Sequence, residues 1–221
     1  MTKTILVASS DDLYSALASV KGGETILLAG GDYGRLSINK KAPFNTDFPA
    51  NVTIASADPD NPARFDSMGL NGVKNLTLSN LLFDYTFNPA DKYNTRISMI
   101  TDCENIRIEN SEFRGDVAQG VSEVADGFGY AIGLGVSTST GITLEGNEFH
   151  SWHRGLIVGR SDDLVVRGNE VHDFRSDGMN FISVQGLLIE DNHIHSCRAS
   201  RESKDHADMI QFWTDKTSRP T

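Results

Sequence analysis

The 221-residue sequence predicts an all-β chain wound as a right-handed parallel β-helix of about seven coils, with an α-helix capping its N-terminal end. Three observations carry this expectation. The first is a line written three times: "GITLEGNEFH" from Gly141 returns as "DLVVRGNEVH" from Asp163 and "GLLIEDNHIH" from Gly186. Asn147, Asn169 and Asn192 therefore lie 22 and 23 residues apart, a period that marks a solenoid. The second is a two-residue alternation of apolar and polar side chains in short runs, the pattern of half-buried strands. The third is the number of such runs, three per repeat, with the extra length of some repeats confined to one place. A propeller blade needs ~40–45 residues, and the LxxLxL spacing of leucine-rich repeats is missing.

Residues 1–23 read as a strand and a capping helix. In "SSDDLYSALASVKGG", Ser10 or Asp11 is the expected cap, Leu13, Ala16, Leu17 and Val20 share one face, and Gly22 stops the helix. Residues 24–214 hold the coils. Their first runs are Thr25–Leu28, Val52–Ile54, Leu76–Leu78, Ile106–Ile108, Ile142–Leu144, Leu164–Val166 and Leu187–Ile189. A two-residue turn leads to a second run centred on Phe113, Phe149, Val171 and Ile194. The third runs are Ile97–Ile100, Ile132–Gly135, Leu156–Gly159, Met179–Ile182 and Ile210–Trp213. The repeated asparagine is expected to supply the left-handed backbone of the turn and to hydrogen-bond along the axis as a ladder. Residues 215–221 read as a tail without a cap. An open coil end exposes backbone and core, so further C-terminal coils or an oligomer partner are expected to cover it.

Thirty acidic and twenty basic residues give a formal charge of −10, which argues against nucleic acid and anionic membranes as partners. Cys103 and Cys197 form no motif, so neither a disulfide framework nor a zinc knuckle is expected. No run of 18 apolar residues and no N-terminal secretory signal is visible. An extracellular location would require an export signal outside this segment.

The opening "TILVASSDDLYSALASVKGGETILLAGGDYGRLSI" resembles the start of pectate-lyase-like β-helix proteins, nearest to the alginate lyase and chondroitinase B type of polysaccharide lyase. "HADMIQFW" is similar to the H-x-D-x-I-Q line of polysaccharide-active and tailspike β-helices. The resemblance implies an acidic, uronate-containing polysaccharide as partner, cleavage by β-elimination, and calcium as the cofactor.

Chemistry is expected where the repeat breaks. Aligning "YAIGLG", "RGLIVG", "DGMNFI" and "DMIQFW" in one frame puts Ile132, Leu156, Met179 and Ile210 inward and Gly133, Ile157, Asn180 and Gln211 outward. The same frame stacks Tyr130, Arg154, Asp177 and Asp208 where the strand starts. Asp177 and Asp208 on adjacent coils would share a proton, bind calcium, or be offset by Arg154 and Arg175. The long loop "CRASRESKDHADM" adds Arg198, Arg201, Lys204, Asp205 and His206, and the insertion 115–129 is expected to wall the same groove. For elimination, Arg154 or calcium would neutralise the uronate carboxylate. Lys204 or His206 would be the base, and Tyr130 or His206 the acid. Arg175, Asn180, Arg201, Gln211 and Trp152 would bind sugar. Paired Asp177 and Asp208 leave hydrolysis open, and a non-catalytic adhesin or tailspike-like shaft is the rival outside enzymes. His150, His172 and His195 are expected to form a solvent-facing stack, with a transition metal as the functional alternative.

Overall fold

The computed structural model describes Lys3–Asp215, and the expected tail residues 216–221 lie outside it. Among the described residues, parallel strands form three sheets of eight, seven and seven strands, and each coil adds one strand to each sheet in turn. The first sheet runs from Thr4–Val7 to Gln185–Glu190, the second from Gly31–Asp32 to His193–His195, and the third from Arg35–Asn39 to Ile210–Trp213. Seven full coils result, because Thr4–Val7 precedes the helix and contributes to the first sheet alone. The described residues contain no helix long and apolar enough to cross a membrane.

The helix spans Ser10–Ser19, and its cap is Ser9, one residue earlier than expected: Ser9 has an extended backbone and its hydroxyl accepts the Asp12 N–H at 3.1 Å. Leu13, Ala16 and Leu17 are buried against the first coils. Along the interior, Phe65, Phe83, Phe113 and Phe149 stack with centroid separations of 5.9, 4.6 and 4.6 Å. Val171 and Ile194 continue that column on the last two coils. Each aromatic step adds about 0.5–1.5 kcal/mol beyond its buried area.

The corner between the first and second sheets divides its work between two residues. The left-handed backbone falls on Asn110, Gly146, Gly168 and Asp191, with φ between 48° and 63°, and not on the repeated asparagines that follow them. Asn147, Asn169 and Asn192 instead satisfy the corner. Asn147 donates to Asn169 Oδ1 at 3.1 Å and to the Ile108 carbonyl at 2.9 Å, and Asn169 donates to Asn192 Oδ1 at 2.9 Å. A parallel column at the corner between the third and first sheets is built from Cys103, Ser139 and Ser161, each accepting a backbone N–H from the preceding coil. Cys103 is a buried free thiol, and burial raises its pKa.

The register of the third sheet corrects the expected frame by two residues. Leu134, not Ile132, is the partner of Leu156, and Gly135, not Gly133, is the partner of Ile157. A slip of two preserves the alternation along the strand, so only packing decides between frames, but Ile132, expected inward, is thereby paired with the cleft-lining Arg154 and is absent from the main core. Tyr130 accordingly leaves the column, and Ile132 takes its place beside Arg154.

Candidate functional site

The third sheet presents a cleft of about 440 Å³ on its last three coils, lined by side chains from three strands, two loops and two corners. Its base begins at the start of the strands Arg154–Gly159 and Asp177–Ile182, whose first residues are Cα partners. Strict alternation would turn Arg154 and Asp177 inward with Leu156 and Met179. Gly155 and Gly178 reverse it: a Cβ on Gly155 would lie 3.0 Å from Val171 Cγ1, and one on Gly178 would lie 2.9 Å from Ile194 Cγ2. The glycines face the core at these two positions, and the arginine and the aspartate line the cleft.

Asp177 is 1% exposed, and its oxygens are occupied. Oδ2 accepts Arg154 Nε at 2.7 Å and Asn180 Nδ2 at 3.1 Å, while Oδ1 accepts the Asp208 backbone N–H at 3.2 Å. Asp208 Oδ2 meets His206 Nδ1 at 2.8 Å. The two aspartates therefore do not present a free carboxylate pair. Calcium takes six to eight oxygen ligands, and a site whose acid is held by a guanidinium and two other N–H donors does not fit it. Asn180 is also corrected as a sugar contact, since its amide N–H groups serve Asp177 and Gln211 and its Oδ1 is buried. Gln211 lines the cleft.

The loop between the last two strands is fixed by Asp205, which accepts Arg175 Nε at 2.8 Å. Burial acts upward on the Asp205 carboxyl, but Ser203, Arg175 and His153 outweigh it and hold its pKa below the usual carboxylate value. Arg175 is 6% exposed and anchors the loop instead of offering its charge to a ligand. Lys204 and His206 are exposed on the cleft rim, and Lys204 makes no ion pair among the described residues. Arg201 is exposed on the turn before them and does not line the cleft.

Tyr130 and Trp152 are corrections with one cause. Both are buried in a satellite cluster with Tyr85, Ala118, Ala125 and Ala131. Trp152 is 1% exposed, donates Nε1–H to the Phe113 carbonyl at 2.8 Å and stacks on Tyr85, so no sugar ring reaches its face. Tyr130 donates its hydroxyl to the Asp91 carbonyl at 3.3 Å, which leaves no proton for a leaving group. The insertion 115–129 folds back over these rings through bridges Val117 to Gly129 and Ala118 to Asp126. With Tyr93, His153, Arg175 and Asp205 it lines a side cavity of about 220 Å³ beside the cleft.

Four cleft residues, Tyr93, His153, Ser176 and Trp213, were not singled out by sequence reasoning. Tyr93 and Trp213 both line the cleft and are about half exposed. His153 is 1% exposed beneath Tyr93, with ring centroids 5.0 Å apart, and its pKa is pushed down to about 4 by burial and then by Arg154 and Arg175. It is neutral near pH 7, so the 3.8 Å approach of its Nε2 to Asp205 is not an ion pair there. The available signal was that His153, with His193, is one of two histidines of the six outside both the stacked column and the loop.

A larger hollow of about 490 Å³ lies nearer the N-terminal end of the chain, lined by Arg35, Arg96, Asn88 and Asp91 among others. It shares the loop around residues 88–95 with the cleft but holds no histidine or lysine.

On the second sheet, His150, His172 and His195 stack 5.1 Å apart, within 11° of parallel. Each ring reaches back to a glutamate of the preceding coil: Glu112 at 3.0 Å, Glu148 at 2.9 Å and Glu170 at 3.0 Å.

No curated protein sequence matches the chain. Among solved structures it is similar to an alginate lyase from Paenibacillus sp. str. FPU-7, with TM-score 0.47 and 16% identity over 96% of this chain and 75% of that one. It is also similar to a pectate lyase from Bacillus sp. N165 in complex with trigalacturonate, with TM-score 0.48 and 11% identity over 100% and 86%. A third is tailspike protein 2 of Escherichia coli O157:H7 bacteriophage CAB120, with TM-score 0.43 and 12% identity over 96% and 37%. A family profile described as a right handed beta helix region matches residues 130–211, the part of the chain that carries Arg154, Asp177, Lys204, His206 and Gln211.

Proposed function

We propose that the outward face of the third sheet binds an acidic, uronate-containing polysaccharide and that the smaller cleft cleaves it by β-elimination. The observation that carries this reading is the meeting of Arg154, Lys204 and the His206–Asp208 pair with Tyr93, Gln211 and Trp213 in one cleft, while Asp177 and Asp205 are already held by guanidinium groups. Cations suit a polyanion, flat aromatics suit sugar faces, and an amide suits hydroxyls. In this reading Arg154 neutralises the uronate carboxylate. His206, its Nδ1 fixed by Asp208, takes the C5 proton at Nε2. The freed electron pair forms the C4–C5 double bond, the C4–O bond breaks, and the Lys204 ammonium protonates the departing oxygen. Hydrolysis is less well served, because it needs two available carboxyl groups and Asp177 has none of its oxygens free.

The test is to incubate the chain with alginate, pectate and chondroitin and follow the ultraviolet absorbance of the conjugated uronate double bond. Absorbance is expected to rise on one of them. His206→Ala and Lys204→Ala should each slow the reaction by about 10²-fold or more with binding retained. New reducing ends without absorbance would replace elimination with hydrolysis. Binding without any cleavage would make the molecule a carbohydrate-binding shaft.

A further inference from the structure

The repeated line breaks on the second sheet as well as the third, and the break there has its own chemistry. Outward positions two apart on successive second-sheet strands read Glu112 and Arg114, Glu148 and His150, Glu170 and His172, then His193 and His195. Each of the first two His–Glu contacts joins one imidazole to one carboxylate. In the last coil a histidine stands where the earlier coils have glutamate, so two imidazoles face the single carboxylate of Glu170. His195 Nε2 lies 3.0 Å and His193 Nδ1 3.7 Å from the same Oε1 of Glu170. The ligand atoms of all three residues fall within 4.8 Å of one another, and the two rings sit 4.3 Å apart.

From this geometry we infer that Glu170, His193 and His195 form a binding site for a first-row divalent transition metal such as zinc, nickel or copper. A metal bonded at about 2.0–2.1 Å to each donor holds neighbouring donors about 3–3.5 Å apart, and the observed separations require only small side-chain adjustments. Two nitrogens and one carboxylate oxygen suit these metals and not calcium. His195 is already oriented: its Nε2 lies 3.0 Å from Glu170 and its Nδ1 2.8 Å from Ser196 Oγ, which can accept the Nδ1 proton when Nε2 gives up its own to bind metal. Side-chain exposure of 72% at His193, 49% at Glu170 and 34% at His195 leaves the remaining coordination positions to water. Because Glu170 and His193 belong to adjacent coils, the metal would tie the last strand of the second sheet to its neighbour. The site lies on a different sheet from the cleft, so it stands independently of the proposed reaction.

The experiment is titration of the full chain with zinc or nickel against a metal indicator, with copper electron paramagnetic resonance to count nitrogen ligands. One ion per chain in the micromolar range, two coupled nitrogens, and no binding of calcium are expected. His193→Ala, at a solvent-facing position, should weaken binding by about tenfold or more, whereas His150→Ala and His206→Ala should leave it unchanged. Zinc should also raise the melting temperature of the native chain and not of His193→Ala. Equal affinity in the native and His193→Ala chains, or loss of binding on His206→Ala, would overturn the site. So would binding that appears only at millimolar metal.

Discussion

His153 holds a neutral ring in a place where a charged one would be expensive. It is 1% exposed, Arg154 and Arg175 face it with positive charge, and Asp205 and Asp177 offset them only in part. Folding thus excludes a proton that the unfolded chain accepts near its ordinary value of about 6.5. With the folded pKa depressed to about 4, the stabilisation is complete above pH 6.5 and is lost as the pH falls toward 4. Its full size is about 3 kcal/mol. His153→Gln should flatten the dependence of urea-unfolding free energy on pH between those limits. An unchanged slope would assign the acid sensitivity to another group. At this scale the sequence was legible only where the period reached. Counting along the repeat sets Arg154 against Asp177, because both occupy the same place in consecutive coils. It misplaces Tyr130 and Trp152 and passes over His153 and Tyr93, because these residues lie in corners and loops whose course depends on contacts between rings far apart in sequence.

Strands and corners are where the sequence spoke most clearly, since a two-residue alternation states which side chains are buried without stating which coil they touch. The corner asparagines show the limit of that reading: the repeat marks a special position but not which of two adjacent residues bends the chain. The division of labour has an energetic consequence. Asn169 is 1% exposed, its Oδ1 accepts the backbone N–H and the side chain of Asn147, and its Nδ2 serves the Leu144 carbonyl and Asn192. Asn169→Ala strands donors and acceptors on both neighbouring coils, and each buried group left alone costs about 1–3 kcal/mol. Asn192 makes as many hydrogen bonds but is only partly buried, so water can serve the groups its loss would strand. Chemical denaturation should therefore show a loss of about 3 kcal/mol for Asn169→Ala and roughly a third of that for Asn192→Ala. Equal losses would mean that the column acts through backbone conformation and not through its hydrogen bonds.

Across the whole molecule, strands pair only with those of the coils before and after and just the long loops reach farther, as where Tyr85 stacks on Trp152, so stability is mainly a sum over neighbours and a local defect stays local. Outward charges obey the same logic. On the first sheet Arg107 bonds Glu109 and Glu145, and Arg167 bonds Glu145 and Glu190, so opposite charges follow one another along the axis. Leu17 and Phe113 probe this architecture from its edge and its middle, as both are about fully buried but the first belongs to the cap and the second to the stacked phenylalanines. Truncation to alanine should cost about 2–5 kcal/mol at either site. Hydrogen exchange should distinguish them. Leu17→Ala is expected to speed exchange in Thr4–Val7 and Thr25–Leu28, the strands the helix packs on, and to leave Asp177–Ile182, at the cleft, unaltered. Phe113→Ala should speed exchange on both of its sides, in Leu82–Asp84 and Glu148–His150. Uniform acceleration across all three sheets in either variant would show that the coils unfold as one cooperative block, in which case the cleft and the cap could not be altered separately.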